Sequence, residues 1–475
     1  MNEEITALSA SDVSRLIRAR ELSAREALEA HMDQIDRVNP RINAIVTLDR
    51  AGAARQAEAA DALTRSGAVL PPLHGVPMTH KDTHSTAGLR TTFGSPLFAD
   101  NVPDHDDLIV ARFKAAGVVT TGKSNVPEFA AGSHTFNEVF GTTTNPYDPR
   151  LSAGGSSGGV AAALAARIQS IGDGSDMGGS LRIPASFCNV VGFRPSLGMI
   201  PLAPSRNAWG WLARTGPMAR EVTDVALAMS VLTGTDASTP FHCPVPASSF
   251  REPLERDLTG LRIGWSPDFG LGIPVQKEVL RVLEGQLRVF EDLGAIVEEA
   301  SPDLRDADVV FDTVRSLDFA LAYGDLVADH AEDIKAEVRW NVARGLALTG
   351  ADVVESALAR TRLAAATRHF FTRFDVFASP AAQLLPFDAS WRYPRTVKGI
   401  EFDTYLEWMR SACVVSAMGI PALCMPAGFS DSGLPVGMQL AMNHGRDVNL
   451  LQVGFAYEQA THHARRAPEL LSVGR

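Results

Sequence analysis

Two serines set in glycine-rich turns carry the strongest chemical signal in the sequence. Ser156 lies in Gly154-Gly155-Ser156-Ser157-Gly158-Gly159, and Ser180 closes Asp176-Met177-Gly178-Gly179-Ser180, 24 residues later (180 − 156). Glycine beside a serine lets the backbone take positive φ and approach a ligand closely. It also exposes consecutive N–H groups that can hold a developing negative charge. A lysine, Lys81, stands 75 residues before Ser156 (156 − 81), within Gly75-Val76-Pro77-Met78-Thr79-His80-Lys81-Asp82. The apolar flank predicts burial, and burial lowers the pKa of an amine. A neutral lysine can take a proton from a serine hydroxyl. These residues point to serine-dependent acyl transfer. Pro184 favours a helix start just after Ser180. That would turn the N–H groups of Met177, Gly178, Gly179 and Ser180 inward as an oxyanion hole, in which one donor is worth about 3 kcal/mol of barrier.

Three other patterns compete for the chemistry. Residues 117–124 fit GxxxxGK[ST], but a phosphate-binding loop needs a strand before it and a helix starting at its Lys-Ser pair. Here residues 108–116 have helical periodicity, Val118-Val119-Thr120 is itself the strand, and Pro127 follows closely, so nucleotide binding is not expected. Gly155-Ser156-Ser157-Gly158-Gly159 also satisfies GxSxG with Ser157 as nucleophile, the signature of an α/β-hydrolase esterase. That remote alternative needs a downstream acid and histidine, and His444, His462 and His463 have no recognisable setting. His74, His80 and His84 lie close together, but no HExxH pattern occurs and the segment reads as strand and turn. No metal or cofactor is expected, and His80 reads as a hydrogen-bonded wall residue.

The elements that must position these groups read as an α/β layered structure, with strands alternating with helices. Ser9 starts a helix, and Ser23 with Glu26 forms a capping box for a second that Asn39-Pro40 should end. Residues 42–48 read as a strand and 51–66 as an Ala-rich helix. Further on, the pattern predicts a small-residue helix over 160–167, a strand over 261–265, and an amphipathic helix over 275–293. Buried strands at 374–378 and 422–425 should end at Pro380 and Pro426. Residues 235–257, rich in Pro, Ser and Thr, read as a long surface connection. No internal domain boundary is evident in the 475 residues. The formal net charge of −11 argues against a nucleic-acid groove. Cys188, Cys243, Cys413 and Cys424 form no CxxC pair, no stretch approaches 18 apolar residues, and the acidic start is no signal peptide. A reduced, cytoplasmic protein without nucleic-acid or membrane partners is expected.

The motifs together resemble the amidase signature family. Its pattern is matched by residues 154–159, the Ala-rich helix, residues 176–185, and Gly192-Phe193-Arg194-Pro195-Ser196. Further blocks match at Gly75-Val76-Pro77 with Lys81-Asp82, at Gly122-Lys123-Ser124-Asn125, at 216–220, at 419–422 and at 433–439. The resemblance implies a central mixed β-sheet sandwiched between helical layers, in one domain over 1–475. Within it, a helical arm covers about 1–66, the signature core about 70–220 and a variable pocket region about 235–415. It implies a Ser–cis-Ser–Lys triad: Ser180 as nucleophile, Ser156 after a cis peptide as bridge, and Lys81 as base. Ser157 would support the network by hydrogen bonding, and Asp176 and Arg182 would hold the glycine turn. Ser175, Asn189 and Arg194 stand where Thr, Gly and Lys are usual in the family.

The family implies hydrolysis of an amide-type C–N bond through an acyl-enzyme. A rival within it is the catalytic A subunit of glutamyl-tRNA amidotransferase. Those subunits usually carry Gln at Ile183 and Met-Asp-Glu-Phe at Val126-Pro127-Glu128-Phe129, and both differences favour a self-sufficient hydrolase. Pocket walls in the family come from variable segments, here 130–145, 203–214, 310–345 and 390–412. Their aromatics, with Phe136, Trp209 and Trp211 foremost, predict a rim for an apolar or aryl group of an amide or carbamate. Similar enzymes form homodimers, so a dimer is expected.

Overall fold

The computed structural model describes residues 2–472. Its N-terminal helices, α1 (Ala10–Ala19), α2 (Ala24–Ile42) and α3 (Arg50–Ser66), begin where side chains take up their free N–H groups. Ser9 caps the first through the Asp12 N–H, Ser23 and Glu26 form the capping box of the second, and Asp49 caps the third. The second helix does not stop at Asn39-Pro40. Pro40 lies inside its last turn, and the helix ends at Ile42 with Asn43 in the left-handed region at φ 50°. The following strand is correspondingly short.

Three strands, β1 (Ile45–Leu48), β2 (Pro77–Lys81) and β3 (Val119–Ser124), form a small sheet in the order β1-β3-β2. Lys123 and Ser124 of the GxxxxGK[ST] match therefore sit in a buried strand, not at a helix start. A Cβ at Gly122 would come within 2.0 Å of the Thr47 carbonyl, so close strand packing explains that glycine.

The main sheet has eight strands: β4 (Ile171–Asp176), β5 (Val191–Arg194), β6 (Arg214–Ala219), β7 (Arg262–Trp265), β8 (Ile296–Glu299), β9 (Val376–Pro380), β10 (Ala422–Phe429) and β11 (Pro435–Ala441). Their order is β8-β7-β9-β11-β10-β5-β6-β4. β7 runs parallel to both neighbours and the remaining pairs are antiparallel, which makes the sheet mixed. β10 does not end at Pro426. It continues to Phe429 through a register shift between those residues, where the ladder can accept a proline.

Helices cover both faces of this sheet. α4 (Gly158–Ala165) and α5 (Arg182–Cys188) pack on one side. α6 (Val222–Leu232), α7 (Lys277–Asp292) and the helix Asp447–Thr461 pack together on the other. α8 (Ala307–His330), with helices Ala336–Leu346 and Gly350–Phe370 against it, builds the outer wall of the cleft described below. The core is a large apolar cluster with side chains from Ala10 to Leu470, and a smaller second cluster gathers Phe129, Phe319, Ile334 and Val338.

α4 is fully buried and made of Gly, Ala, Val and Leu, and neighbouring backbone approaches closely at its first turn. A Cβ on Gly159 would lie 2.4 Å from the Asn125 nitrogen and 2.8 Å from the Ala44 carbonyl oxygen. Gly159→Ala is therefore expected to destabilise the fold by about 2 kcal/mol or more, read as a lower urea midpoint; an unchanged midpoint would show that α4 can retreat from β3.

Candidate active site

Lys81 is the last residue of β2, and its ammonium nitrogen reaches into the gap between the main sheet and α4. Its side chain is wholly buried and touches no carboxylate at ion-pair distance among the described residues. Instead Nζ donates to three hydroxyls: Ser156 Oγ at 2.8 Å, Ser157 Oγ at 3.0 Å and Ser175 Oγ at 2.8 Å. Burial lowers the Lys81 pKa to about 7, against the opposing pull of Asp173 and Asp176. The Gly155–Ser156 peptide is cis. Ser175, the departure from the family's usual Thr, thus lies in direct contact with the lysine.

Ser180 stands two residues before α5, in the turn 177–181. Its hydroxyl has no hydrogen-bond partner among the described residues, and the residue lines an open cleft. The turn depends on its glycines. Gly179 has φ 101°, and a Cβ there would lie 2.4 Å from Ala412 Cβ, while one on Gly178 would lie 2.8 Å from Phe311. The Asp176 carboxylate ties the turn from inside, accepting from the Gly179 N–H at 2.9 Å and the Leu181 N–H at 3.1 Å. Arg182 donates to it through Nε at 3.0 Å and Nη2 at 2.9 Å. Arg182 continues to Gln439 at 2.8 Å, Ser416 at 2.6 Å and the Ala412 carbonyl at 3.1 Å. Burial pushes the Asp176 carboxyl up, but Arg182 and Arg194 outweigh it and hold it below the usual carboxylate range.

This arrangement corrects the anticipated oxyanion hole. The Gly179 N–H is directed at Asp176, not at the cleft, because the carboxylate closes the turn from behind. The N–H groups of Met177, Gly178 and Ser180 have no partner among the described residues, and these residues line the cleft. Ser157, the nucleophile of the GxSxG alternative, is wholly buried beneath Lys81. His444 and His463 bond elsewhere, to the Leu197 carbonyl and to Gln286.

The cleft has a volume of about 680 Å³. One lobe is aromatic: Phe93, Phe98, Phe129, Phe319 and Tyr323 form a chain of rings with centroids 4.7 to 6.0 Å apart. The anticipated aromatics do not line it. Phe136 lies under the Lys335 ammonium, 4.2 Å from its ring centroid, beside a separate small cavity. Trp209 is 71% exposed and rests its edge on Phe241. Trp211 is buried in the core with Arg360 stacked 3.7 Å over its ring. The variable segments do contribute, but through Asn207, Arg206, Arg315, Asp318, Phe319 and Tyr323. The spacing of Arg315, Phe319 and Tyr323, four residues apart, puts them on one face of α8 and is the signal that could have found them.

Sequence reasoning also missed Asp173, a buried carboxylate on β4. It accepts from the Lys81 backbone N–H at 2.6 Å and from His80 Nδ1 at 2.5 Å. His80, anticipated as a wall residue, is one of its anchors. Asp176→Asn would leave Arg182 and Arg194 buried without a full counter-charge. The expected cost is about 3–5 kcal/mol in unfolding free energy, measured by urea denaturation. A cost below about 1 kcal/mol would mean that the arginines are satisfied by their neutral partners.

Comparisons with known proteins agree with this geometry. Residues 26–451 match the family described as Amidase. An acylamidase of Rhodococcus erythropolis is 35% identical over 97% of this chain and 97% of its own length. The A subunit of the glutamyl-tRNA(Gln) amidotransferase of Moorella thermoacetica is 33% identical over 98% of this chain and 99% of its own. The crystal structure of a bacterial aryl acylamidase belonging to the amidase signature enzymes superposes with a TM-score of 0.91. It is 27% identical, covering 98% of this chain and 99% of that one. A whole-length family match and a shared mixed-sheet fold lead to one conclusion: the chain belongs to the amidase signature family.

Proposed function

We propose that this enzyme is a self-sufficient amide hydrolase that cleaves a C–N bond through an acyl-enzyme on Ser180, with Ser156 as bridging serine and Lys81 as base. The observation that carries the reading is the hydrogen bond from Lys81 Nζ to Ser156 Oγ at 2.8 Å, made by a lysine that burial brings to a pKa of about 7. A lysine poised there supplies the neutral amine near neutral pH without a large cost for deprotonation.

In the attack, Ser180 Oγ bonds to the carbonyl carbon as its proton passes to Ser156, whose own proton passes to Lys81. The oxygen of the tetrahedral intermediate gathers negative charge, and the free N–H groups of Met177, Gly178 and Ser180 supply donors for it. The proton returns through Ser156 to the leaving nitrogen, the C–N bond breaks, and the acyl group stays on Ser180. Water then repeats the sequence against the ester and restores the serine. Ser157 and Ser175 hold the lysine during both halves. No metal or cofactor enters these steps.

For the substrate we favour an amide or carbamate with an aryl or apolar group, because five aromatic rings line one lobe of the cleft. The Rhodococcus acylamidase supports an acyl-amide substrate. A second reading, the catalytic component of an amidotransferase, has the similarity to the Moorella chain behind it. Ile183 and the Val126-Pro127-Glu128-Phe129 segment speak against it.

The deciding experiment measures amine release by the purified chain alone from aryl amides, aliphatic amides, carbamates and glutamine, beside Ser180→Ala and Lys81→Ala. Release from an aryl amide or carbamate, falling by about 10⁴-fold or more in both variants, is expected. Glutamine as the sole amide turned over would favour the amidotransferase reading, and activity retained in Ser180→Ala would remove the assignment. Because the base acts in its neutral form, kcat/KM is also expected to rise with pH through a limb near 7 and level off above it. A flat profile through that region would take the base role away from Lys81.

A further inference from the structure

Behind the triad lies a cluster of buried charges that the reaction steps do not use. Asp173 projects from β4 toward β2, and Asp173, His80 and Lys81 are all wholly buried. One carboxylate oxygen accepts the Lys81 backbone N–H at 2.6 Å and lies 3.4 Å from His84 Nδ1. The other meets His80 Nδ1 at 2.5 Å. A carboxylate only accepts, so His80 must carry its proton on Nδ1, and its Nε2 then accepts from the Thr120 hydroxyl at 3.2 Å. Burial is the main reason that His80 favours its neutral form. Burial pushes the Asp173 carboxyl up, but the His80 and His84 rings beside it outweigh burial and hold it below the usual range.

The two carboxylates whose charge reaches Lys81 are Asp173 and Asp176. They are not equivalent. Asp176 is bonded by Arg182 at 2.9 Å and faces Arg194 at 3.6 Å, so two cations offset its charge. Asp173 has no arginine or lysine in contact among the described residues; its hydrogen-bond donors are His80 Nδ1 and the Lys81 backbone N–H. The remaining charges around the cluster belong to Lys123 of β3, which faces Asp82, Asp107 and Lys114 as well as Asp173. Lys123 Nζ is bonded to the His84 carbonyl and to Thr86 Oγ1, away from the serines. Of the two carboxylates that act on Lys81, Asp173 is thus the one that no arginine or lysine contacts among the described residues.

Resting on the reading of Lys81 as base, we propose that Asp173, oriented by His80, is the positioning residue of that base. Its carboxylate fixes the end of the strand that carries the lysine, and its charge sets how strongly the lysine holds a proton taken from Ser156. A weaker field makes Lys81 easier to deprotonate but a poorer proton acceptor. The two effects must appear together.

The test uses Asp173→Asn and Asp173→Ser, both neutral and of different size, in the full chain. The readout is inactivation by phenylmethanesulfonyl fluoride across roughly pH 5 to 9, which needs no known substrate. Ser180 Oγ bonds to sulfur, fluoride leaves, and the proton passes through Ser156 to Lys81. The acid limb is expected to fall by about one pH unit, and the plateau rate by roughly threefold to tenfold. Asp173→Glu, which restores the charge, should return the limb to within about 0.3 unit of the parent. A purely structural role would lower the rate and leave the limb in place, and that result in either folded neutral variant overturns the inference. The premise fails separately: Lys81→Ala inactivated at the parent's rate with the parent's limb would remove the base itself. An inert Lys81→Ala beside an unshifted Asp173→Asn would overturn Asp173 alone.

Discussion

The burial of the Lys81 amine among hydroxyl groups is the constraint around which the site is organised. An ammonium ion without water and without a carboxylate in contact is costly, and here its direct partners are three serine oxygens. The cost is what brings the amine near neutrality at ordinary pH. It also dictates the surroundings. Ser156 and Ser157 must sit at the start of α4, Ser175 must face them from β4, and α4 must lie close enough to keep water out, which only small side chains allow. The glycines, the Ala-rich helix and the buried strand end are consequences of that one demand.

A second buried charge system holds the other half of the site. Asp176 closes the turn of Ser180 with two backbone N–H groups and one arginine fork, and the same arginine reaches Gln439 and Ser416. The two systems meet on β4, where Asp173 and Asp176 lie three residues apart and point to different clusters. One strand therefore anchors both the Lys81 segment and the Ser180 turn.

Much of this is legible in the residues themselves. Ser156, Ser180 and Lys81 announce themselves through glycine spacing and an apolar flank, because backbone approach leaves few residue choices, while Asp176 is reached only through the family resemblance. The capping box of Ser23 and Glu26, the small-residue helix and the alternation of strands and helices are equally readable. What escapes are features fixed by contacts between distant segments. The cleft aromatics come from residues 93, 98 and 129 and from one face of α8, brought together only by the fold. Phe136, Trp209 and Trp211 lie in or near the variable segments yet point elsewhere, since nothing in a lone aromatic says which side of a loop it will take. Asp173 reads as one more polar residue in a glycine-rich strand, and only the fold sets His80 opposite it. The Gly179 N–H turns away from the cleft, and a glycine turn does not show in its spelling which way its donors aim.

The reach of Arg182 has a bearing on biosynthesis. Its acceptors at Ala412, Ser416 and Gln439 lie 230 to 257 residues further along the chain. A polypeptide still emerging from the ribosome can hold residues 171–182 long before the helix Arg410–Ala417 and β11, which carry these acceptors, exist. Until they arrive, the guanidinium lacks the partners that fix the turn on its far side. The Ser180 turn is thus completed late, so a partly synthesised or C-terminally cleaved chain would display the motif without the contacts that hold the turn.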